Sequence, residues 1–278
     1  VHGLAGKKIR IPRLGWVRMR EALRFTGRVV SATVSRIADK WFVSLNVELG
    51  QPPEPCESQA RVGVDLGLRK LATLFDGTGV TEVGGPKPLG KLLKKLRRLQ
   101  RQLSRKEKGS RNRRKARIKV ARLQYRIACI RQDALHKLTT YVTANYRAIA
   151  IEDLNVKGMM GNRRLARSIS DMGFHEFRRQ LEYKAKMRGN HVELACRWFP
   201  SSKRCSSCCL VIDDLTLSDR VFVCSHCGRT IDRDLNAAIN LFSTVSSTGF
   251  EACGEASSGS SAIGGVKLAS EKQESECV

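Results

Sequence analysis

The sequence predicts an α/β fold with a central sheet, an inserted pair of basic helices and a small four-cysteine ribbon. Three observations support this prediction. Apolar, β-branched runs that are typical of strands lie within residues 61–76 and 147–152. Apolar residues recur at helical spacing between residues 88 and 146. Two C-x2-C pairs are separated by fifteen residues, which is the spacing of a structural zinc ribbon.

Residues 1–58 are predicted to form a partial β module that ends in a linker. Two alternating, β-branched runs lie within residues 24–49 and are separated by Ala38-Asp39-Lys40, which is typical of a hairpin. Three prolines between residues 51 and 58 then indicate the linker. We expect the main domain to span residues 59–243 and to begin with two strands joined by a tight turn.

Residues 87–146 are predicted to form two antiparallel helices with basic outer faces. Each helix has an apolar stripe, and the basic turn between the helices contains Gly109. The stripes comprise Leu89, Leu92, Leu93, Leu96, Leu99 and Leu103, and then Val120, Leu123, Ile127, Ile130, Ala134 and Leu138. Residues 87–137 hold 20 Lys and Arg but only two acids, whereas a solvated surface usually mixes both signs. We therefore expect these helices to bind phosphate groups.

The charge of the whole chain predicts a polyanionic partner. The 278 residues include 51 Lys+Arg and 26 Asp+Glu, which gives a net charge of +25. Nucleic acid is the natural partner of such a chain, although a ribosomal-type or merely basic protein has a similar balance. No apolar run approaches the about 18 residues that span a membrane, and no secretory leader is visible. We therefore expect a cytoplasmic, nucleoid-associated protein with no membrane partner.

The cysteines are predicted to bind one zinc ion in the ribbon, which we place at residues 201–230. The proposed ligands are Cys205, Cys208, Cys224 and Cys227, because each tight C-x2-C turn directs two sulfurs toward a tetrahedral ion. Cys209 could compete as a ligand, but C-x2-C geometry favours Cys208. The other cysteines fit a reducing compartment and are interpreted as free thiols: Cys56, Cys129, Cys196, Cys253 and Cys277.

Three acids are candidates for a second metal site. Asp65 follows the apolar run VGV, Glu152 follows AIAI, and Asp234 stands at the start of a short helix. In an RNase H-like fold, a strand of the first hairpin and a later strand end side by side, and a late helix packs against them. Carboxylates gathered in this way repel one another until divalent cations bind, and oxygen ligands favour magnesium or manganese. Two such ions about 3.5–4 Å apart could support phosphodiester hydrolysis.

Each acid by itself also has a simpler interpretation. Asp65 could be a turn former, Glu152 a surface charge at a strand end, and Asp234 a helix cap. Their comparable positions favour the shared metal site over three separate roles. Asp153 and Asp232 are the second choices for the same site, because Glu152 directly follows its strand and Asp234 is closest to the helix start.

The rest of the domain is predicted to contain one further helix and strand before the ribbon. The helix extends from about Phe174 to Arg188, and the strand lies in the segment HVELACR. After the ribbon, the short helix LNAAINLF has small residues that suit close packing. Residues 244–278 are rich in Ser, Gly and Ala and are predicted to be a disordered tail.

The chain resembles the TnpB proteins of bacterial insertion sequences, a family long described as transposases, with a RuvC-like nuclease domain. The resemblance extends from about Pro12 to Phe242. It rests on the segments VGVDLGLRKLAT, IAIEDLNVKGM, RWFPSSKRCSSC, CSHCG and DRDLNAAINL, which occur in the family's order. It implies an RNA-guided DNA endonuclease, in which guide pairing selects the target and the protein reads a short adjacent motif.

The resemblance also implies site residues and partners. It assigns catalytic magnesium or manganese to Asp65, Glu152 and Asp234, and structural zinc to Cys205, Cys208, Cys224 and Cys227. It implies DNA and a guide RNA as partners in a bacterial or archaeal cell, with a companion transposase from the same element. The family usually has glycine where Cys209 stands. It also carries a longer N-terminal region, so we expect this chain, with about sixty residues before the nuclease domain, to be N-terminally shortened.

Three other functions are compatible with the sequence. A truncated, non-catalytic remnant would keep the basic helices and the zinc site for nucleic-acid binding. A transposase that performs strand transfer would use the same acids, with a 3′ hydroxyl instead of water as the nucleophile. An RNase H-type enzyme would cut the RNA strand of an RNA–DNA hybrid. Analysis of the reaction products separates these alternatives.

Overall fold

The N-terminal part of the chain forms two small antiparallel sheets. A computed structural model describes residues 3–23, 27–49, 55, 57–216 and 219–246. Strands β1 (Leu4–Ala5), β2 (Lys8–Ile11) and β3 (Gly15–Arg18) form the first sheet, and β4 (Arg28–Ile37) and β5 (Lys40–Glu48) form the second. Ile37 pairs with Lys40, so Ala38 and Asp39 make the turn, with Ala38 at a left-handed φ of 59°. The predicted hairpin is confirmed, whereas most of the predicted linker lies outside the described residues.

A five-stranded mixed sheet forms the centre of the fold. Its strands are β6 (Arg61–Asp65), β7 (Lys70–Phe75), β8 (Val80–Gly84), β9 (Ala148–Glu152) and β10 (His191–Ala195). The strand order is β10-β9-β6-β7-β8. Strands β6, β7 and β8 are antiparallel neighbours, whereas β9 runs parallel to β6, and β10 runs parallel to β9. The predicted α/β class is therefore confirmed.

Helices α1 (Pro88–Ser104) and α2 (Arg111–Asn145) follow β8 along the chain. They pack against each other through apolar residues that include Leu96, Leu123 and Ile127. The Ser110 hydroxyl accepts a hydrogen bond from the Arg113 N–H and so caps the start of α2. The second half of α2 leaves α1 and packs in the main core, where Leu135, Leu138 and Val142 are buried. The 35-residue α2 thus packs against α1 in its first half and in the main core in its second half.

Four shorter helices complete the described chain: α3 (Val156–Met160), α4 (Ala166–Met172), α5 (Phe174–Arg188) and α6 (Arg233–Ser246). The predicted helix of residues 174–188 has the bounds of α5. Strands β11 (Val221–Val223) and β12 (Thr230–Asp232) form a small hairpin directly before α6. Residues 247–278 of the predicted tail lie outside the described residues, and α6 continues past the predicted domain end at 243. No helix in the described parts of the chain combines the length and the apolar character needed to cross a membrane.

Helices cover both faces of the central sheet. Among these helices, α6 approaches the sheet most closely. Phe177 and Leu181 of α5 are buried in the main core with Val62 and Val64 of β6. The helix α6 contacts β6 through Gly63, where a Cβ atom would collide with the Ala238 carbonyl group and the Phe242 backbone. Because Gly63 has no side chain, the backbones of helix and strand can meet. This contact determines the position of the first turn of α6.

Candidate active site and metal centre

Asp65, Glu152 and Asp234 lie on three elements that meet at one edge of the central sheet. Asp65 ends β6 and Glu152 ends β9. The two strands are parallel neighbours in which Val64 pairs with Ile151, so the acids that follow lie side by side. Asp234 is in the first turn of α6. Its Oδ2 atom would lie 3.9 Å from a Cβ atom built on Gly67, two residues after Asp65, so Asp234 faces the same edge.

The electrostatics of the three acids indicate that they interact. Burial, together with the negative charges of Glu152 and Asp234, raises the pKa of Asp65 well above its ordinary value. Burial also raises the pKa of Glu152, while a hydrogen bond from Ser201 and the charge of Arg233 oppose this shift. Ionisation of Asp65 and Glu152 is therefore unfavourable unless positive charge comes near. A divalent cation would supply that charge.

The acids are nevertheless spaced more widely than a tight ligand cluster. Within the described residues, one group of at least three possible ligand side chains has all its ligand atoms within 4.8 Å of one another, and it consists of four cysteines. The three carboxylates do not form such a group within the described residues.

Asp153 and Asp232 have other contacts. Asp153 forms ion pairs with Arg178 at 2.5 Å and with Arg197 at 3.2 Å. Asp232 Oδ1 accepts hydrogen bonds from the N–H groups of Asp234 at 3.0 Å and Leu235 at 3.1 Å. Asp153 is thus neutralised by two arginines, and Asp232 caps the start of α6. These structural roles favour Glu152 and Asp234 as the residues that face the space between the acids.

A cleft of about 460 Å³ opens beside Glu152 and Asp153. Its walls come from the end of β9, the start of α3 and the first turns of α5. Four cationic side chains line it together with three acids: Lys157, Arg178, Arg179 and Arg197, and Glu152, Asp153 and Glu182. The cleft therefore combines positive charge, which attracts phosphate groups, with direct access to Glu152.

Ser201 is a site residue that the sequence did not reveal. Its side chain is buried, and its hydroxyl donates a hydrogen bond to Glu152 Oε1. The serine is 49 residues away from Glu152 in the chain, in a polar segment that resembles an exposed loop. The local signal for its burial was its place four residues before Cys205, because a metal centre constrains the segment that carries its ligands.

Cys205, Cys208, Cys224 and Cys227 are positioned to bind a metal ion. Their four sulfur atoms all lie within 4.8 Å of one another. The Sγ atoms of Cys205 and Cys227 are 3.6 Å apart, and those of Cys208 and Cys224 are 3.5 Å apart. Four sulfurs at 2.3 Å from a tetrahedral zinc ion would be about 3.8 Å apart, so the arrangement fits such an ion.

Backbone hydrogen bonds favour the thiolates of Cys224 and Cys205, whereas the pKa of Cys208 is raised to about 12, since burial and the neighbouring thiols outweigh a hydrogen bond from the Leu210 backbone. Hydrogen bonds from the backbone N–H groups of Cys227 and His226 lower the pKa of the Cys224 thiol to about 6. The Ser207 N–H donates to Cys205 Sγ at 3.4 Å. Both interactions favour the thiolate, which is the form that binds metals. Phe222 is fully buried, packs in one cluster with Cys205 and Cys224, and so supports the cysteine centre.

The remaining cysteines lie outside the metal centre. Cys209 is exposed and has a left-handed φ of 63°, and Cys208 rather than Cys209 belongs to the four-sulfur group. Cys129 and Cys196 are free thiols in the structure, in agreement with the interpretation of the sequence. Cys56, Cys253 and Cys277 lie outside the described residues.

Two family models match separate parts of the chain. Residues 44–163 match the OrfB_IS605 family, which is described as "Probable transposase". Residues 174–241 match the family described as "Cas12f1-like, TNB domain". The first match includes Asp65 and Glu152, and the second includes the four cysteines and Asp234.

Two solved complexes are similar to the chain at low sequence identity. The first is the "Cryo-EM structure of the Cas12f1-sgRNA-target DNA complex", with a TM-score of 0.49 and 16% identity over 75% of this chain and 55% of that chain. The second is the "Cryo-EM structure of CRISPR-Cas12f Ternary Complex", with a TM-score of 0.48 and 17% identity over 85% of this chain and 51% of that chain.

Curated relatives named "Putative RNA-guided DNA endonuclease" are similar over most of the chain. The relative from Streptomyces pristinaespiralis is 43% identical over 81% of this chain and 54% of its own length. InsQ from Escherichia coli K12 is 41% identical over 89% of this chain and 64% of its own length. A relative from Mycobacterium tuberculosis H37Rv is 38% identical over 77% of this chain and 48% of its own length. The chain thus spans about half to two thirds of these relatives, and it belongs to the OrfB_IS605, or TnpB, family.

Proposed function

We propose that the chain carries the nuclease chemistry of a TnpB-type RNA-guided DNA endonuclease, which hydrolyses phosphodiester bonds with two divalent cations. The observation that carries this proposal is the convergence of Asp65, Glu152 and Asp234 at one edge of the central sheet. Relatives with 43% and 41% identity are named for this activity. Because the chain spans part of their length, the activity is a proposal for this protein.

The sheet supports a finer description of the domain as RNase H-like, and specifically RuvC-like. An antiparallel unit, β6 to β8, is followed by β9, which lies parallel beside β6, and by β10, which lies parallel beside β9. The late helix α6 packs on β6 at Gly63. This arrangement brings acids that are distant in sequence to one edge, as the sequence-based proposal requires.

The residues of the proposed active site have distinct roles. Asp65, Glu152 and Asp234 would hold magnesium or manganese, because carboxylate oxygens suit hard cations. When bound, the cations supply activation of the attacking water and stabilisation of the leaving oxygen. Burial and the neighbouring acids raise the pKa of Asp65, and a bound cation would favour its ionised form. The Ser201 hydroxyl orients Glu152, and the cationic wall of the cleft receives the substrate phosphates.

We assign structural zinc to the four-cysteine centre. The ligand set consists of sulfur atoms alone, and their spacing fits a closed tetrahedral site. Such a site leaves no position for a substrate, so it contributes stability rather than chemistry. It lies between β10 and α6 in the chain, where it can fix the path of the backbone into the active-site helix.

DNA and guide RNA are the proposed partners, and the outer faces of α1 and α2 are the proposed phosphate-binding surface. On α1, the exposed Lys94, Arg98 and Arg101 recur at helical spacing. No acidic side chain lies in the first turn of either helix. On α2, Arg122 pairs with Asp39 and Lys137 with Asp133, but residues 87–137 hold 20 Lys and Arg and only two acids, so positive charge is in excess. Counterions held by nucleic acid would be released when it binds these faces.

Removal of positive charge from α1 is expected to reduce the salt dependence of nucleic-acid binding. The triple variant Lys94→Gln, Arg98→Gln, Arg101→Gln should bind more weakly at low salt. The slope of log K against log salt concentration should become shallower by about 2, because each lost phosphate contact removes about 0.7–0.9. Fluorescence anisotropy with labelled DNA and RNA between low and moderate salt measures both quantities.

The matched control for this triple variant removes three exposed charges at scattered places. Arg13→Gln, Lys186→Gln, Arg220→Gln has the same net charge as the α1 variant, so it corrects for long-range electrostatics. Its salt slope should change by less than about 1. Equal slopes for the two triple variants would show that α1 is not a specific phosphate-binding surface.

The proposed function is tested by cleavage of a matched DNA target. The protein is purified after co-expression with the RNA that flanks its element, and the target is a duplex that pairs with the guide portion of that RNA. We expect magnesium-dependent cutting of the matched duplex and none of a duplex with a scrambled target. Binding without cutting would instead favour a non-catalytic remnant. Joined DNA products would favour strand transfer, and cutting of RNA in a hybrid would favour an RNase H-type enzyme.

A further inference from the structure

A chain of hydrogen bonds, made by buried side chains, connects the cysteine centre with the acidic site. We call it the polar bridge, and it consists of the side chains of Ser201, Asn236 and Asn240 with the backbone of residues 201–206. Asn240 Nδ2 donates to the carbonyl oxygens of Ser201 and Arg204, at 2.7 Å each. Asn236 Nδ2 donates to the Arg204 carbonyl oxygen at 2.7 Å. The two asparagines thus hold one short segment at two points.

The polar bridge continues at both of its ends. Toward the metal centre, Asn236 Oδ1 accepts a hydrogen bond from the Ser206 N–H at 3.0 Å, directly beside Cys205. Toward the active site, the Ser201 hydroxyl donates to Glu152 Oε1. The same segment therefore contains a metal ligand at one end and a partner of a proposed catalytic acid at the other.

The side chains of the polar bridge have little access to water. The exposed fractions of Ser201, Asn236 and Asn240 are 3%, 0% and 4%. A buried polar group that loses its partner costs free energy, because water cannot replace the lost hydrogen bond. Conformations that break these hydrogen bonds are therefore unfavourable, and residues 201–206 are held in one conformation.

The polar bridge connects Glu152 with α6, the helix that carries Asp234. Asn236 and Asn240 are one turn apart on α6, and Asp234 is in the first turn of the same helix. Any shift of the segment would therefore change the position of Ser201 relative to Glu152 and of α6 relative to β6. Phe199, which packs with Ala150 and Leu241, limits such shifts on the side of the sheet.

We propose that Ser201 is a positioning residue for Glu152, and that Asn236 and Asn240 hold the segment that carries Ser201. The inference rests on the proposed function, since it assumes that Glu152 helps to bind the cations. The hydroxyl fixes the orientation of one carboxylate oxygen and so reduces the reorganisation that cation binding requires. Groups that orient metal ligands in this way typically change metal affinity by about 10- to 100-fold.

The test compares Ser201→Ala with Ser206→Ala and Ser201→Thr in the full chain. Ser206 is the matched control, because its buried hydroxyl has no hydrogen-bond partner within the described residues. Manganese binding is measured by electron paramagnetic resonance of the free ion, and the Asp65→Ala chain gives the binding that does not depend on the acidic site. Zinc content and the unfolding midpoint are measured on the same samples.

Ser201→Ala should weaken the Asp65-dependent manganese binding by about 10-fold or more, with cysteine-bound zinc unchanged. Ser206→Ala should bind manganese like the wild type. Ser201→Thr keeps the hydroxyl and should restore the affinity to within a few-fold, which a purely structural role of the serine would not predict. The manganese concentration that gives half-maximal cleavage should follow the same order.

Two results would overturn the inference, and they differ from failure of the proposed function. Wild-type affinity in Ser201→Ala, or an equal loss in Ser206→Ala, would show that Ser201 does not position Glu152. If the wild type binds manganese through Asp65 but cuts no matched DNA, the proposed function fails while the affinity comparison still decides the role of Ser201. A wild-type chain without Asp65-dependent manganese binding would overturn both.

Discussion

Replacing Asp65 with alanine is expected to reduce DNA cleavage by about 1,000-fold or more while leaving nucleic-acid affinity within about twofold. Asp65 is the most buried of the three acids, and it interacts with both of the others. In the proposed mechanism its loss removes a ligand from the cations, whose stabilisation of the transition state is worth several kcal/mol. The proposed phosphate-binding surface on α1 and α2 is elsewhere, so binding should persist. Cleavage kinetics and anisotropy on the same preparations measure the two effects.

Asp65→Asn separates the loss of chemistry from damage to the fold. This variant should be as inactive as Asp65→Ala, yet more stable than the wild type at neutral pH without added divalent cations. The pKa of Asp65 is raised in the folded chain, so the stability that its neutral form provides is present at low pH and is lost as the pH rises through that pKa. Asparagine does not ionise, so the gain should disappear in acid. Thermal unfolding as a function of pH measures this difference.

Asp153→Asn is the matched control for the Asp65 variants. Asp153 is paired with Arg178 and Arg197, so its replacement should affect the cleft while preserving cleavage to within about tenfold. An Asp65 variant that lost binding and cleavage equally would contradict the catalytic assignment. Loss of cleavage in Asp153→Asn as large as that in Asp65→Asn would favour Asp153 in place of Glu152 as an acid of the site.

Cys224→Ser is expected to release the metal from the cysteine centre and to lower the unfolding midpoint by at least about 5 °C. The Cys224 side chain is buried among the other sulfurs, and its thiol has a lowered pKa that favours the metal-binding thiolate. A serine hydroxyl is a poor replacement for a thiolate as a zinc ligand. The binding free energy of a structural metal is also folding free energy, so loss of the metal destabilises the fold. A loss of about 2 kcal/mol would shift the midpoint by several degrees in a domain of this size. Elemental analysis and thermal unfolding provide the two readouts.

Cys209→Ser is the control for this second prediction. Cys209 is a neighbouring but exposed cysteine outside the four-sulfur group, so its replacement should keep the metal and the midpoint. Stoichiometric metal and normal unfolding in Cys224→Ser would refute the assignment of the centre. Loss of metal in Cys209→Ser would show that Cys209 takes the place of Cys208.

Features with a local signal could be predicted from the sequence. The hairpin turn at Ala38 and Asp39, the helix Phe174–Arg188 and the two strands before Asp65 and Glu152 all follow from patterns within a few residues. The sulfur group could also be predicted, since the spacing of C-x2-C pairs is itself the geometric constraint. The roles of the three acids remain predictions that the proposed experiments test.

Features that depend on distant partners could not be predicted in this way. Strand β8 has mostly exposed side chains and joins the sheet through backbone pairing with β7, so no apolar pattern marks it. The second half of α2 continues the apolar spacing of the first half, but it packs against the main core instead of α1. Ser201 and Asn240 are ordinary polar residues by composition. Their burial becomes visible only when residues 152, 201 and 240 are brought together.

The placement of Asp234 on α6 has a consequence for synthesis of the chain on the ribosome. A nascent chain that ends before Arg233 contains β6, β9 and the basic helices but lacks the third acid. It also lacks Asn236 and Asn240, which hold Ser201 and the start of the cysteine centre. Since domains are made from the N-terminus at about 5–20 residues per second, the proposed nucleic-acid-binding surface emerges seconds before the proposed catalytic site is complete. Incomplete products of translation would therefore bind nucleic acid without cutting it.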